Sequence, residues 1–210
     1  RNLATTMCLF SAQMCTSPQN IYIPQAGVQT PTGMVPFEEV AHRLADAVQA
    51  LTSDPKKAAM ILATIQSHQT LALLQDMTEQ AAQRGQILLA PSAYVHPDFP
   101  EARTSTPLMM QVTPHEHDLY SQERFGPISF VIRCQDAHDA LTRATSDAKQ
   151  HGGFGTTNGN MWTPKPFGFR LCQISYLGHL ISNARKARAR EKRQDGSPNR
   201  FGPLGNHLLV

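Results

Sequence analysis

The sequence contains no long apolar run, and this absence limits the kind of protein that it can encode. A helix that spans a bilayer needs roughly 20 mostly apolar residues, and no stretch of the 210 residues approaches that length. The segment Arg1–Cys8 has one positive residue but no sustained apolar core, so it is not predicted to be a signal peptide. We therefore expect a protein that has no membrane partner.

Cysteine is also scarce. The chain has four cysteines, and no two of them form a C-x-x-C pair; they are Cys8, Cys15, Cys134 and Cys172. This density is not typical of a small disulfide-stapled domain. It favours a reducing compartment, the cytoplasm, in which each thiol is either buried or reactive.

Charged residues make up only 17% of the chain, and they are unevenly distributed. Residues 1–151 hold 10 Lys and Arg against 14 Asp and Glu, whereas residues 152–210 hold 9 against 2. Nine of the 13 glycines also follow residue 151. The sequence therefore predicts a domain over residues 1–151 and a basic tail, rich in Gly and Arg, over residues 152–210.

Helical periodicity is clearest in the first segment. Apolar positions at helical spacing predict a helix over residues 37–51, and Asp54 followed by Pro55 predicts the start of the next helix. A third helix is predicted from about residue 70 to residue 83, with Gly85 as a left-handed cap. Further helical stretches are expected at residues 3–14 and 137–149.

Short β-favouring runs alternate with these helices and predict strands at residues 20–23, 87–90, 108–112 and 128–132. Residues 25–36, with two Gly, two Thr and two Pro, are predicted to be a loop, as are residues 91–107. Alternating helices and strands argue for an α/β domain with a mostly parallel sheet flanked by helices. The tail has little periodicity apart from a helical stretch at Leu171–Ile181, so we expect it to be irregular.

The strongest chemical signal is a segment centred on a cysteine. Phe10 opens the segment, Gln13 and Met14 precede Cys15, and polar residues and Pro18 follow it. A cysteine in this position can be held on a turn facing a cleft, where its thiolate acts as a nucleophile. A lone cysteine is more often buried and inert, so this segment alone leaves both interpretations open.

A second segment, Glu123-Arg124-Phe125-Gly126-Pro127-Ile128, begins 108 residues after Cys15 and leads into a predicted strand. On its own, Gly126-Pro127 indicates a plain turn. Together the two segments resemble the aldehyde dehydrogenase family, in which a Phe and a Gly-Gln pair precede the nucleophilic Cys and an E-x-F-G-P segment precedes a strand. The resemblance covers residues 1 to about 151 and implies a partial catalytic domain. One departure is Ala12, which stands where the family usually has Gly.

The resemblance implies an activity and the residues that perform it. Cys15 is implied to attack an aldehyde and form a thiohemiacetal, its backbone N–H helping to hold the oxyanion, and NAD or NADP is the implied hydride acceptor. Glu123 is implied to bind the nicotinamide ribose hydroxyls, and Phe125 to pack near the nicotinamide ring. The family is usually homo-oligomeric.

Within the family, residues 13–20 and 144–152 are most similar to the phenylacetate-degradation branch. That branch implies a ring-opened semialdehyde as the substrate, and in one version this semialdehyde is linked to CoA.

The resemblance also implies parts that precede the nucleophile. These are most of the dinucleotide-binding domain, a Glu that activates water and an Asn that completes the oxyanion hole, yet only 14 residues precede Cys15 and the first residue is not Met. We therefore expect a fragment without turnover of its own, and a non-catalytic remnant that associates with other subunits is the alternative. Because the resemblance stops where Gly and Arg become frequent, the residues after about 152 are interpreted as a frameshifted or otherwise altered extension.

Three other features are predicted to be structural. His115 and His117 are spaced like metal ligands, but no third ligand is placed by spacing, so no metal is expected. Cys8 and Cys134 are expected to be packed rather than catalytic. Arg185–Arg193 holds six basic residues, which allows a nucleic-acid-binding tail, although a solvated run of charge is the commoner explanation.

Overall fold

The computed structural model describes residues 2–14, 17–152 and 155–158. Cys15 and Thr16 lie outside the described residues, as does the tail beyond Asn158, including the predicted helix Leu171–Ile181. The helices of the described part are α1 (Asn2–Cys8), α2 (Phe37–Leu51), α3 (Pro55–Ile61), α4 (His68–Arg84), α5 (His117–Tyr120) and α6 (Ala137–Asp147). Its strands are β1 (Pro18–Pro24), β2 (Val28–Thr30), β3 (Gly33–Val35), β4 (Gln86–Leu89), β5 (Leu108–Val112), β6 (Ile128–Cys134) and β7 (Gly155–Asn158).

Five of these strands form one sheet in the order β4-β5-β6-β1-β7. The pairs β5-β6, β6-β1 and β1-β7 are parallel, and only the edge strand β4 is antiparallel to its neighbour. The predicted α/β class with a mostly parallel sheet is therefore confirmed. Strand β7 lies within the segment that the sequence predicted to be irregular, so the sheet continues past residue 151.

Helices cover both faces of the sheet, so the central strands are buried on both sides. On β6, Phe130 and Ile132 pack with apolar residues of α4, α5 and α6, whereas Val131 packs on the opposite face with α1, α2 and α3. Successive side chains of a strand point to opposite faces, so one strand serves two cores. None of the helices in the described ranges is long and apolar enough to cross a membrane.

The helix starts follow local chemistry. The side chain of Asp54 accepts a hydrogen bond from the backbone N–H of Lys57, and Ser67 does the same for Thr70 at the start of α4. Such side-chain caps satisfy backbone donors that have no partner inside a helix. The predicted helices over residues 37–51, 70–83 and 137–149 are confirmed, with ends that differ by up to two residues.

One loop prediction and one helix-cap prediction were wrong. Residues 25–36 were predicted to be a loop, yet they contain the hairpin of β2 and β3, which turns at Pro31 and Thr32, just before Gly33 with its φ of +130°. Strands of three residues are too short for their alternation to be recognised in a sequence. Gly85 is extended, with φ −157°, rather than left-handed. A Cβ atom there would lie 2.5 Å from the carbonyl oxygen of Gln111, so glycine allows α4 to approach β5 closely.

Candidate active site

The cysteine segment and the Glu123 segment lie at the same edge of the sheet. Strand β1 follows the first segment and β6 follows the second, and these strands are parallel neighbours with Asn20 opposite Phe130. The amino ends of two such strands meet at one edge. The strand order therefore brings the Glu123 segment next to the residues that flank Cys15.

A small pocket separates the two segments. Met14 and Ser17, which precede and follow Cys15 and Thr16 in the chain, line one side, and Glu123 and Phe125 line the other. The remaining lining residues are Ala12, Pro18, Gln19, Arg124, Gly126 and Ile128. The role of Cys15 as the nucleophile stays a prediction, because that residue lies outside the described part of the chain.

Immediately before this pocket, the backbone adopts a left-handed conformation. Residues 3–14 were predicted to be helical, but α1 ends at Cys8. Phe10, Ser11 and Ala12 then have φ values of 53°, 54° and 49°. L-residues other than Gly, Asn and Asp rarely adopt this conformation, which costs roughly 1–2 kcal/mol per residue. Other contacts must therefore hold the turn.

Side-chain hydrogen bonds to the loop after α3 hold the turn. The Ser11 hydroxyl donates to the carbonyl of Ala63 at 2.7 Å. The Gln13 amide donates to the carbonyl of Thr64 at 3.0 Å and accepts from the backbone N–H of Gln66 at 2.9 Å. A segment about 50 residues away along the chain thus determines the backbone path into Cys15.

Residues of the Glu123 segment point alternately outward and inward. The side chain of Phe125 is 46% exposed and that of Glu123 is exposed, so both are accessible at the pocket. Arg124 turns inward, where its Nε donates to the carbonyl of Leu119 at 3.0 Å at the end of α5. A cation is favourable at a helix C-terminus. An exposed carboxylate beside an exposed ring suits ribose hydroxyls and a flat heterocycle, so these residues fit the implied nicotinamide cofactor.

A buried polar network extends from the pocket under α6. Asn20 donates to the Tyr22 hydroxyl at 3.2 Å, and Tyr22 donates to a carboxylate oxygen of Asp147. The other oxygen of Asp147 lies 2.8 Å from Nε2 of His117. The pKa of Tyr22 is raised far above its usual range, mainly by burial and secondly by the hydrogen bond to Asp147. This network was not predicted from the sequence. The only signal for it there is a pair of adjacent polar residues in a strand that is buried along its length.

The other cysteines and histidines singled out in the sequence lie in surroundings that suit a structural role. Cys8 and Cys134 are buried, and burial raises the pKa of each thiol to about 12, so neither is a thiolate at neutral pH. His115 is exposed, and His117 contacts Asp147. The described ranges contain no cluster of three or more metal-ligating side chains.

Comparison with known proteins identifies the family of this chain. The model of the "Aldehyde dehydrogenase family" matches residues 1–160, which is most of the chain. An NAD-dependent aldehyde dehydrogenase from Burkholderia multivorans is 35% identical, with a TM-score of 0.74 over 84% of this chain and 30% of its own. None of the curated proteins matches.

Two other solved structures share the fold at low identity. A putative methylmalonate-semialdehyde dehydrogenase from Sinorhizobium meliloti complexed with NAD is 15% identical, with a TM-score of 0.56 over 81% of this chain and 32% of its own. An aldehyde dehydrogenase from Mycobacterium tuberculosis complexed with NAD⁺ is 14% identical, with a TM-score of 0.54 over the same shares.

The mostly parallel α/β sheet and the match over residues 1–160 assign the chain to a family of α/β enzymes. The chain belongs to the aldehyde dehydrogenase family. It spans about a third of the length of the solved relatives that it matches.

Proposed function

We propose that this chain supplies the nucleophile and part of the nicotinamide site of an aldehyde dehydrogenase. The supporting observation is the pocket in which Met14 and Ser17, on either side of the Cys15 segment, face Glu123 and Phe125. In this proposal the Cys15 thiolate forms a C–S bond to the aldehyde carbon while the carbonyl π electrons move to oxygen. The backbone N–H of Cys15 stabilises that oxyanion.

Glu123 accepts hydrogen bonds from the ribose hydroxyls of the cofactor, and Phe125 packs beside the nicotinamide ring. When bound, NAD or NADP would supply the hydride acceptor for the thiohemiacetal, and water would then convert the resulting thioester to the acid and the free Cys15 thiol. Because the chain spans only about a third of its solved relatives, we propose that it does not turn over on its own.

For the substrate, we propose a semialdehyde of phenylacetate catabolism, free or linked to CoA, and a cytoplasmic location. The similarity of Gln13–Asn20 to that branch supports the substrate. The two described cysteines are free thiols, which is compatible with a reducing compartment. A homo-oligomer is proposed on the strength of the family alone.

Thiol labelling of the folded full chain tests the proposal. We expect iodoacetamide to modify Cys15 at pH 7.5, and hexanal, which forms a reversible thiohemiacetal, to slow that modification. Cys8 and Cys134 should stay unmodified, because their pKa values near 12 leave each thiol protonated. Peptide mass spectrometry assigns each site.

Three controls accompany this experiment. Hexanol matches hexanal in size but forms no thiohemiacetal, so it should not protect Cys15. Denatured chain should label at all four cysteines, and Cys15→Ala should lose only the protected site. An inert Cys15, or equal protection by hexanol, would identify the chain as a non-catalytic remnant.

A further inference from the structure

The side chain of Gln19 joins the cysteine segment to the Glu123 segment. Its Oε1 accepts a hydrogen bond from the backbone N–H of Arg124 at 2.6 Å. Its Nε2 lies 3.0 Å from the carbonyl of Gln122 and 3.2 Å from that of Tyr120, and donates to both. Gln19 is only 6% exposed, so these bonds are shielded from water.

These partners lie on both sides of Glu123 in the chain. The N–H of the residue after Glu123 and the carbonyl of the residue before it are held by one amide, four residues beyond Cys15. Asn20 adds a hydrogen bond of 2.9 Å to the carbonyl of Tyr120. The backbone of Glu123 is thereby held against strand β1.

We propose that Gln19 is a positioning residue, which holds the Glu123 backbone at a set distance from the nucleophile segment. That Glu123 binds the cofactor rests on the proposed function, whereas the hold on its backbone does not. Only a primary amide of this length presents an acceptor to Arg124 and a donor to the two carbonyls at once. Glutamate keeps the acceptor and loses the donor, and methionine keeps the volume and loses both.

Backbone amide exchange, followed by NMR on the full ¹⁵N-labelled chain, tests the proposal without requiring activity. In Gln19→Met we expect the Arg124 amide to exchange roughly tenfold faster, since its buried acceptor is gone. In Gln19→Glu the carboxylate restores the acceptor, so the Arg124 amide should stay within about twofold of the wild type above the carboxyl pKa. Volume alone cannot produce this contrast.

Gln13→Met is the matched control. Gln13 is also a glutamine that accepts a backbone N–H, but its partner is Gln66 in another loop. The control should therefore speed exchange at Gln66 and leave Arg124 unchanged. Gln19→Asn, whose amide is one methylene too short to reach, should reproduce the effect of Gln19→Met and replaces that variant if it does not fold.

An Arg124 amide that stays protected in the folded Met or Asn variant would overturn the proposal, as would an equal increase at Gln66. The result is separable from the proposed function. An inert Cys15 beside a Gln19-dependent Arg124 amide refutes only the chemistry, whereas a reactive Cys15 beside an unchanged amide refutes only the positioning role.

Discussion

Ala12 combines an ordinary side chain with a backbone conformation that suits glycine. Its φ of +49° continues the left-handed path of Phe10 and Ser11. The sequence showed only that Ala stands where the family usually has Gly. The conformation itself could not be predicted, because it depends on hydrogen bonds to Ala63, Thr64 and Gln66, which are distant in the chain.

Ala12→Gly should stabilise the chain. Glycine removes a left-handed penalty of roughly 1–2 kcal/mol and adds an entropy cost of about 0.5–1 kcal/mol in the unfolded state. We therefore expect the free energy of unfolding to rise by up to about 1.5 kcal/mol, measured by urea denaturation. Ala47→Gly, within the ordinary helix α2, is the control and should lower it by about 1 kcal/mol. Equal losses in both variants would contradict a strained Ala12.

Helix α4 lies close to the turn before β6. Gly126 has a φ of +149°, and a Cβ there would lie 2.7 Å from Cγ2 of Thr70. Thr70 belongs to the first turn of α4, where its backbone N–H bonds to the Ser67 hydroxyl at 3.0 Å. The glycine thus sets how closely the Glu123 segment approaches this helix.

Gly126→Ala should destabilise the fold through both backbone strain and this contact, by about 3 kcal/mol in total. Thr70→Ser removes Cγ2 and keeps the hydroxyl. In that background we expect the cost of Gly126→Ala to fall by about 1 kcal/mol, while the backbone strain remains. A double-mutant cycle in urea measures the difference, and strictly additive effects would show that the two residues do not contact each other.

The elements differ in how well the sequence predicts them. Strands β5 and β6 were predicted at their first residues because each is a mostly apolar run, buried along almost all of its length. The β2–β3 hairpin was not predicted, because each of its strands has only three residues. The end of α1 at Cys8 was not predicted either, because the left-handed turn that follows depends on hydrogen bonds to a distant segment. The Glu123 segment was found through its motif, whereas Gln19 and Asp147 became visible only when the strands were paired.

The sheet explains how two motifs 108 residues apart in the sequence come to lie at the same end of neighbouring strands. No contact within either motif indicates the other; their proximity comes from β1 and β6 being parallel neighbours. Parallel strands need a long crossover, and residues 25–127, with α2, α3 and α4, supply it. A family resemblance could imply this arrangement, whereas hydrophobic periodicity could not.

Charge separates the part of the chain that contains the sheet from the tail that follows it. Residues 1–160 hold 10 Lys and Arg against 14 Asp and Glu, whereas residues 161–210 hold 9 against 2. A basic segment neutralises phosphates of any polyanion, and such binding weakens steeply with salt. Binding through bulk charge and a dedicated nucleic-acid site therefore differ in their ligand preference.

We expect the full chain to be retained on immobilised double-stranded DNA and on heparin alike at low salt, and to elute from both before about 0.15 M salt, since only bulk charge is involved. A chain ending at Asn160 should flow through both columns, because its net charge is −4 rather than +3. Its urea unfolding midpoint should match that of the full chain, which controls for loss of the fold. Retention on DNA but not on heparin at 0.15 M salt, lost on truncation, would instead establish a nucleic-acid-binding tail beside the dehydrogenase-like domain.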